Sequence, residues 1–231
     1  MNEKVFISCS VSEKKKYIEN EYFSNIRNLT YPNKQYFFSD NSTSPTYHIE
    51  LMEKYGFEVG YVNPKGLSNV MYMCNSMNQC LQKFLASDCD LWLMLEEDNI
   101  CPTDIVEQLI SHDKMVVAAP YFINTGKDSI LLKGEMENTY GEQTNRVPLF
   151  WKEDYRKFNG RLEKCSVIGF GCTLAKRLIF EDYKFYANEK QKAHCDTMWS
   201  FDLHEAGIDV YVDNSIICEH KNQQWNQTKF N

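Results

Sequence analysis

The sequence has 231 residues, 43% of them hydrophobic and 14% aromatic, which is enough to bury one substantial core and short for two independent ones. Its 25 basic and 32 acidic side chains give a formal charge of −7, so nonspecific binding to nucleic acid is not expected. No apolar run approaches the roughly 20 residues of a membrane-spanning helix, so we expect no integral membrane segment. The expected organisation is a single domain over residues 1–231.

The cysteines indicate a reducing compartment. There are nine, an odd number, at irregular spacings from Cys9 to Cys218, and none forms a C-x-x-C pair. A chain of this size does not need disulfides to fold, and the apolar stretch 5–7 is too short for the core of a secretory signal. We therefore predict reduced thiols and a cytoplasmic location. No zinc site is expected, because the nearest candidate set lacks standard ligand spacing: His194, Cys195, His204 and His220.

Strand-like and helix-like segments alternate over the first 122 residues. Short β-favouring apolar runs are separated by stretches in which apolar residues recur every three or four positions. In chain order we predict a strand at 4–10, a helix around 18–29, a strand at 36–38, a helix at 45–56, a strand at 57–62, a helix at 70–87, a strand at 90–95, a helix from 102 and a strand at 115–122.

The second half is less regular. Residues 124–146 are polar and loop-like, and 167–172 lead into a predicted helix at 174–180. A further helix at 196–206 is ended by Gly207 and followed by a strand at 210–212.

This alternation favours an α/β domain with a mostly parallel central sheet flanked by helices. Ligands of such sheets bind at the carboxyl ends of the strands. Three of the predicted ends carry polar groups: Ser8-Cys9-Ser10, Asp40 and Glu96-Glu97-Asp98. We therefore expect a binding site at this edge.

The three consecutive acids of residues 96–98 point to a cation, because adjacent negative charges repel one another unless they are compensated. Glu96 and Asp98 project to the same side of an extended segment and are predicted to meet a hard divalent ion such as Mg²⁺ or Mn²⁺, with Glu97 facing away. The alternative is an acidic turn that caps the next helix, with Asp98 or Asn99 on free backbone amides.

The order of motifs resembles that of GT-A type glycosyltransferases, which use nucleotide sugars, of the family-two-like or Anp1-like kind. The family has a first strand similar to KVFISCS, a second strand ending in Asp similar to YFFSDNST, and a D-x-D metal motif after an apolar strand, similar to LWLMLEEDNICP. Its glycine-containing segment is similar to VIGFGCTLAKRLIF, its acidic motif and helix to HCDTMWSFDLHEAGIDVYVD, and its late histidine to ICEH. The sequence departs from the family by having Glu96 as the first acid and Cys195 before Asp196.

The resemblance implies a role for each matched residue. Residues 1–122 would form the half that binds the nucleotide sugar and the metal, and 123–231 the acceptor half. Asp196 would be the catalytic carboxylate, taking the proton of the acceptor hydroxyl in an inverting mechanism. Glu96, Asp98 and His220 would hold Mn²⁺ or Mg²⁺. The donor would be bound by Ser8, Ser10, Asp40, Glu97, Gly169 and Gly171.

Several of these residues have a structural alternative. Gly169 and Gly171 are equally explained by a turn that requires positive φ. The basic run 14–16 is most simply the solvated face of the first helix, and a diphosphate contact is its alternative.

The function that follows is transfer of a hexosyl or pentosyl group from a UDP- or GDP-sugar to a glycan, protein or small-molecule hydroxyl. Two other functions remain open. A noncatalytic carbohydrate- or metal-binding module would explain the acidic cluster without Asp196. A sugar nucleotidyltransferase shares the layout, but its glycine-rich loop is missing from residues 10–14.

Overall fold

The computed structural model describes residues 3–124, 128–130, 150, 151, 160, 162–165, 167–190 and 193–221. Much of the polar segment predicted at 124–146 lies outside the described residues. Five α-helices are described: α1 (Glu19–Arg27), α2 (Tyr47–Tyr55), α3 (Asn69–Ala86), α4 (Ile105–Ile110) and α5 (Cys195–Glu205). The described strands are β1 (Val5–Val11), β2 (Lys34–Asp40), β3 (Val59–Tyr61), β4 (Leu91–Met94), β5 (Asn99–Ile100), β6 (Val116–Ala118), β7 (Phe122–Asn124), β8 (Asp128–Ile130), β9 (Phe150–Trp151), β10 (Leu162–Cys165), β11 (Thr173–Lys176), β12 (Val210–Asp213) and β13 (Glu219–His220).

Eight strands form the central sheet, in the order β10-β12-β6-β11-β4-β1-β2-β3. Strands β10 and β11 run opposite to the other six. The predicted α/β fold with a mostly parallel sheet is therefore confirmed. Two smaller sheets lie beside it: the ribbon β5–β13 and the three-stranded β7-β8-β9.

Helices cover both faces of the central sheet. The apolar residues of α1, α2 and α4 pack on one face, as shown by Phe23, Leu51 and Leu109, all at most 2% exposed. The other face is covered by α3 and α5, through residues such as Phe84 and Trp199. In α1, α3 and α4 the buried residues follow the apolar period of the sequence, whereas Ile49 of α2 is exposed. Within the described residues, no helix combines the length and apolar character needed to cross a membrane.

The helix predicted at 174–180 is wrong. Residues 173–176 form β11, which pairs antiparallel with both β4 and β6, and a 3-10 helix follows at Arg177–Phe180. Leu174 and Ala175 are buried on opposite faces of the sheet, which a strand allows and a one-sided helix does not. Leu178, which the helical pattern would bury, is 68% exposed.

The carboxyl ends of the parallel strands lead to the site predicted from the sequence. β1 and β2 end together at Val11 and Asp40, which are partners in the register. β4 ends at Met94, just before the acidic residues, and the chain then enters β5. Pairing of β5 with β13 brings residues 219 and 220 beside this turn.

Candidate active site

The acidic residues occupy a tight turn between β4 and β5. Asn99 N–H donates to Glu96 O at 3.0 Å, which closes the turn, and Glu96 N–H donates to Gly171 O at 3.3 Å. On the far side, Lys221 N–H donates to Asp98 O at 2.8 Å. Backbone contacts from both the 167–172 segment and β13 therefore hold the turn in place.

Asp98 is the most tightly held of the acids, at 4% exposure. His220 Nε2 lies 3.2 Å from Asp98 Oδ2, and the Lys15 ammonium forms an ion pair with the same oxygen. Burial alone favours the neutral carboxyl, but the hydrogen bond with His220 and the charge of Lys15 outweigh it and lower the pKa of Asp98 to about 2. Asp98 is thus an ionised carboxylate that already contacts the Lys15 ammonium and the His220 imidazole.

Glu96 has the opposite electrostatic state. Burial, followed by the negative charges of Asp98 and Asp196, raises the pKa of Glu96 to about 8. His220 and Lys15 lower it by less. A carboxyl group shifted by neighbouring acids lacks a sufficient counter-charge, which a bound cation would supply.

Glu97 points back to the end of β1. Ser12 N–H donates to its Oε2 at 2.8 Å. Burial raises the pKa of Glu97 well above its usual range, and the Ser12 hydrogen bond opposes this shift only in part. Glu97 therefore ties the acidic turn to the loop that follows β1 and does not share the cation contacts of Asp98.

Asp196 reaches the site from a distant part of the chain. It is the second residue of α5, half-buried, and its Oδ1 accepts a 2.6 Å hydrogen bond from Thr197 N–H. Burial raises the pKa of Asp196. Its charge acts on Glu96 and also on Tyr121, so the fold brings this predicted carboxylate close to the acidic turn.

The predicted donor contacts on β1 and β2 differ in position. Ser8 lies inside β1, fully buried, where Trp92 Nε1 donates to its carbonyl at 3.4 Å. Ser10 is half-buried nearer the strand end and pairs with Ser39. Asp40 is fully buried at the end of β2, and burial raises its pKa. The structure thus brings Ser10 and Asp40 closer to the strand ends than Ser8.

Asp40 has one bonded and one unbonded oxygen. Ser42 N–H donates to Oδ1 at 2.8 Å, whereas Oδ2 is buried with no hydrogen-bond partner among the described residues. His48 Nδ1 lies 4.0 Å from Oδ2, and the His48 ring stacks on Tyr61 at 5.2 Å between centroids. This buried oxygen therefore lies beside the stacked His48 and Tyr61 rings without a hydrogen bond from the described residues to satisfy it.

Close packing explains Gly171, and a positive φ explains neither of the two glycines. Neither Gly169 nor Gly171 has a positive φ, so the positive-φ alternative is wrong for both. A Cβ on Gly171 would lie 2.2 Å from the Tyr121 ring and 2.7 Å from Asn99 Nδ2. Gly169 O accepts a 2.8 Å hydrogen bond from Thr173 Oγ1. Gly171 thus allows the 167–172 segment to pack against the acidic turn.

Sequence analysis missed two residues near the site, His48 and Tyr121, and gave Lys15 a place there only as an alternative. The basic run 14–16 does not form one solvated helical face, because Glu13–Lys15 is a separate 3-10 helix that turns Lys15 towards Asp98. Tyr121 is buried and its ring lies 5.4 Å from that of His220. The basic run that follows β1 carried a signal for Lys15, because its alternative role as an anion contact predicted a position at the site.

Within the described part of the chain, His194, Cys195, His204 and His220 do not form a metal-ligating group, and the Cys195 thiol interacts with Cys74. Within the described residues, the metal-ligating groups whose atoms all lie within 4.8 Å of one another are those of Cys101, Cys172 and Cys218. Glu96, Asp98 and His220 therefore do not converge on one point in this conformation. Their carboxylate oxygens and imidazole nitrogen suit a divalent ion. The ion pair of the Lys15 ammonium with Asp98 shows that this position attracts a cation.

Comparison with known proteins identifies the fold. No protein-family model and no curated protein matches the sequence. The mannosyltransferase PcManGT from Pyrobaculum calidifontis, solved in complex with GDP-Man and Mn²⁺, has a TM-score of 0.60 and 10% identity, over 96% of this chain and 57% of that one. TarS from S. aureus has a TM-score of 0.57 and 13% identity, over 95% of this chain and 37% of that one.

The chain therefore spans only about half, or less, of these solved structures. At such low identity they establish the fold alone. The protein has the GT-A fold of glycosyltransferases, and the resemblance predicted from the sequence is confirmed at this level.

Proposed function

We propose that this protein is a divalent-metal-dependent glycosyltransferase that moves a sugar from a nucleoside-diphosphate sugar to an acceptor hydroxyl. The observation that carries the proposal is the acidic turn at the carboxyl edge of the sheet, where His220 contacts Asp98 and the charge of Asp196 acts on Glu96. The GT-A fold supports it, because PcManGT was solved with GDP-Man and Mn²⁺.

The residues of the acidic turn fit a hard cation. Glu96, Asp98 and His220 would hold Mn²⁺ or Mg²⁺, which as a Lewis acid supplies stabilisation of the negative charge on the departing diphosphate. The raised pKa of Glu96 supports a site that is short of positive charge, and the ionised Asp98 supplies a carboxylate ligand. Binding of a cation requires Lys15 to leave Asp98, and its ammonium is then free to contact a diphosphate oxygen.

Asp196 is the proposed general base. It lies in the first turn of α5, at a part of the site distinct from the turn that holds the cation. Its raised pKa makes it a better proton acceptor than a fully solvated aspartate. Oδ1 is fixed by Thr197 N–H, so Oδ2 is the oxygen proposed to take the proton of the acceptor hydroxyl.

The nucleotide end of the donor is proposed to lie over β1 and β2. Asp40 Oδ2 has no hydrogen-bond partner among the described residues and suits a base or ribose donor group. Ser10 and the stacked His48 and Tyr61 flank that position. Gly169 and Gly171 are proposed to lie beside the sugar, where Gly171 allows close packing against Tyr121. Ser8 and Glu97 are the remaining proposed donor contacts, and Glu97 is held by Ser12 N–H. The acceptor half, 123–231, includes 131–149 and 152–159, which lie outside the described residues.

The test is a screen of UDP- and GDP-sugars for hydrolysis or transfer with Mn²⁺, Mg²⁺ or a chelator. We expect product with at least one donor, lost on chelation and lost in Asp98→Asn. The matched control is Asp104→Asn, which changes an exposed aspartate outside the site. Calorimetry that detects no nucleoside-diphosphate binding, with or without Mn²⁺, contradicts the proposal and favours a noncatalytic module.

A further inference from the structure

A second group of converging side chains lies behind the acidic turn. The thiol triad consists of Cys101, Cys172 and Cys218, at 4%, 0% and 1% exposure. Their sulfur atoms all lie within 4.8 Å of one another, and the Sγ atoms of Cys101 and Cys218 are 2.6 Å apart. Three sulfurs from three remote parts of the chain thus share one buried point.

The fold explains this convergence. The β5–β13 register pairs Ile100 with Glu219 and Asn99 with His220, so the next position places Cys101 opposite Cys218. Residues two apart on a strand share a face, and this pair therefore lies on the same side of the ribbon as Asn99 and His220. Cys172 arrives from the other direction, directly after Gly171 and directly before β11.

We propose that the thiol triad binds one thiophilic cation of the Zn²⁺ or Cu⁺ class. Thiolate sulfur is the ligand that such soft ions select, whereas Mg²⁺ and Mn²⁺ prefer oxygen. At a metal–sulfur distance of about 2.3 Å, three sulfurs around one ion lie about 4.0 Å apart. The three sulfurs of the triad already lie within 4.8 Å of one another. The Cys101–Cys218 pair widens by about 1.4 Å on loading, through rotation of the two side chains.

The ion replaces the thiol protons, which pass to solvent, and no electron is transferred. Within the described residues no carboxylate or imidazole joins the group, so the three sulfurs supply the protein's ligands. This arrangement suits three-coordinate Cu⁺, whereas Zn²⁺ would need a fourth ligand that reaches a site whose residues are at most 4% exposed. The hard-cation site and the thiol site therefore discriminate between ions by ligand chemistry.

The proposed site has a structural consequence for the acidic turn. One ion held by all three sulfurs would link β5, β13 and the 167–172 segment. These three segments make the backbone contacts around Asp98 and His220. The ion would stabilise the position of the acidic turn without contacting substrate.

The test uses the full chain purified with a phosphine reductant. Elemental analysis measures copurified zinc and copper, and Cd²⁺ titration measures the ultraviolet thiolate-to-metal charge-transfer band. We expect one thiophilic ion per chain, no displacement by excess Mg²⁺, and an affinity at least about tenfold lower in Cys172→Ser, which removes one of three ligands. Cys165→Ser, outside the triad, is the matched control and leaves the affinity unchanged.

Two results overturn the proposal. One is a wild-type chain that neither copurifies with zinc or copper nor develops the charge-transfer band with Cd²⁺. The other is a Cys101–Cys218 disulfide in peptide maps of the reduced preparation. The number of zinc or copper ions bound per wild-type chain tests the proposal even if Cys172→Ser folds poorly. Retention of the band in Glu96→Gln separates this site from the proposed catalytic one, so either proposal can fail alone.

Discussion

At the scale of single residues, the charge state of Asp98 is set by two partners that no local pattern links to it. Lys15 is 83 positions away and His220 is 122 positions away. A buried carboxylate that contacts an ammonium and an imidazole stays ionised, whereas the pKa of Glu96, two residues before it, is raised towards the neutral form. The two acids of one short turn therefore have different electrostatic roles.

Replacing Lys15 tests whether its ammonium competes with a metal for Asp98. In Lys15→Gln we expect Mn²⁺ affinity to rise by about tenfold, because one positive charge leaves the site. Without metal the variant should be less stable, since Asp98 loses its partner, and Mn²⁺ should raise its Tm more than that of the wild type. Calorimetry and thermal unfolding measure these effects.

The control for this experiment is Lys16→Gln. It removes the same charge from the adjacent residue, whose Nζ pairs with exposed Glu50 at 2.9 Å. Mn²⁺ affinity should stay at the wild-type value there. Equal or weaker binding in Lys15→Gln would show that Lys15 does not occupy the cation position.

Asp196 is the residue on which the proposed chemistry depends. Asp196→Asn keeps the shape and the Thr197 N–H contact but cannot accept the proton. We expect the transfer rate to fall by about 10² to 10⁴, with donor affinity unchanged. Steady-state kinetics and calorimetry separate the two quantities, and Asp209→Asn, at the exposed end of β12, is the control. Near-normal transfer by Asp196→Asn would rule out the role of base.

Short-range sequence patterns were sufficient for the acidic turn but not for its partners. Glu96 to Asp98 follow an apolar strand directly, so their place at a strand end could be predicted. The contacts of Lys15, His48 and Tyr121 depend on how remote segments pack, which the spacing of residues does not encode. The position of Ser8 was also not predictable from the local pattern. Because β1 continues to Val11, Ser8 lies inside the strand and not at its end.

At the scale of elements, β11 is where the sequence pattern failed. The local sequence of β11 is typical of a helix start. It forms a strand because it pairs with β4 on one side and β6 on the other, and this tertiary pairing outweighs the local preference. The 3-10 helix that follows places Arg177 against the end of α3. Its guanidinium donates to Cys89 O at 2.8 Å, Phe84 O at 3.0 Å and Leu85 O at 3.3 Å.

Arg177 is therefore expected to cap α3. In Arg177→Lys a single ammonium cannot reach these carbonyls together, and we expect a loss of about 2 kcal/mol in the free energy of unfolding. Chemical denaturation measures the loss. Lys176→Gln breaks only a surface pair with Asp113 and should cost less than about 1 kcal/mol. Equal costs for both variants would contradict the capping role.

At the scale of the whole molecule, the two predicted halves share one sheet. β11 belongs to 123–231, but it lies between β4 and β6 of 1–122, and β12 pairs with the other edge of β6. The acidic turn likewise depends on Asp196 and His220 from the second half. The boundary at 122 therefore divides the donor half from the acceptor half by predicted role only, because strands from both halves are hydrogen-bonded in the same sheet.

This interleaving predicts that residues 1–122 do not fold alone. Without β11 and β12, β6 loses both of its neighbours, and the apolar faces of β4 and β6 become exposed. We expect the 1–122 fragment to show no cooperative denaturant transition, whereas the full chain unfolds in one transition that coincides by circular dichroism and tryptophan fluorescence. Adding the 123–231 fragment is the control, since complementation should restore the transition. A fragment 1–122 that unfolds cooperatively with the full-chain midpoint would show that the first half is an independent folding unit.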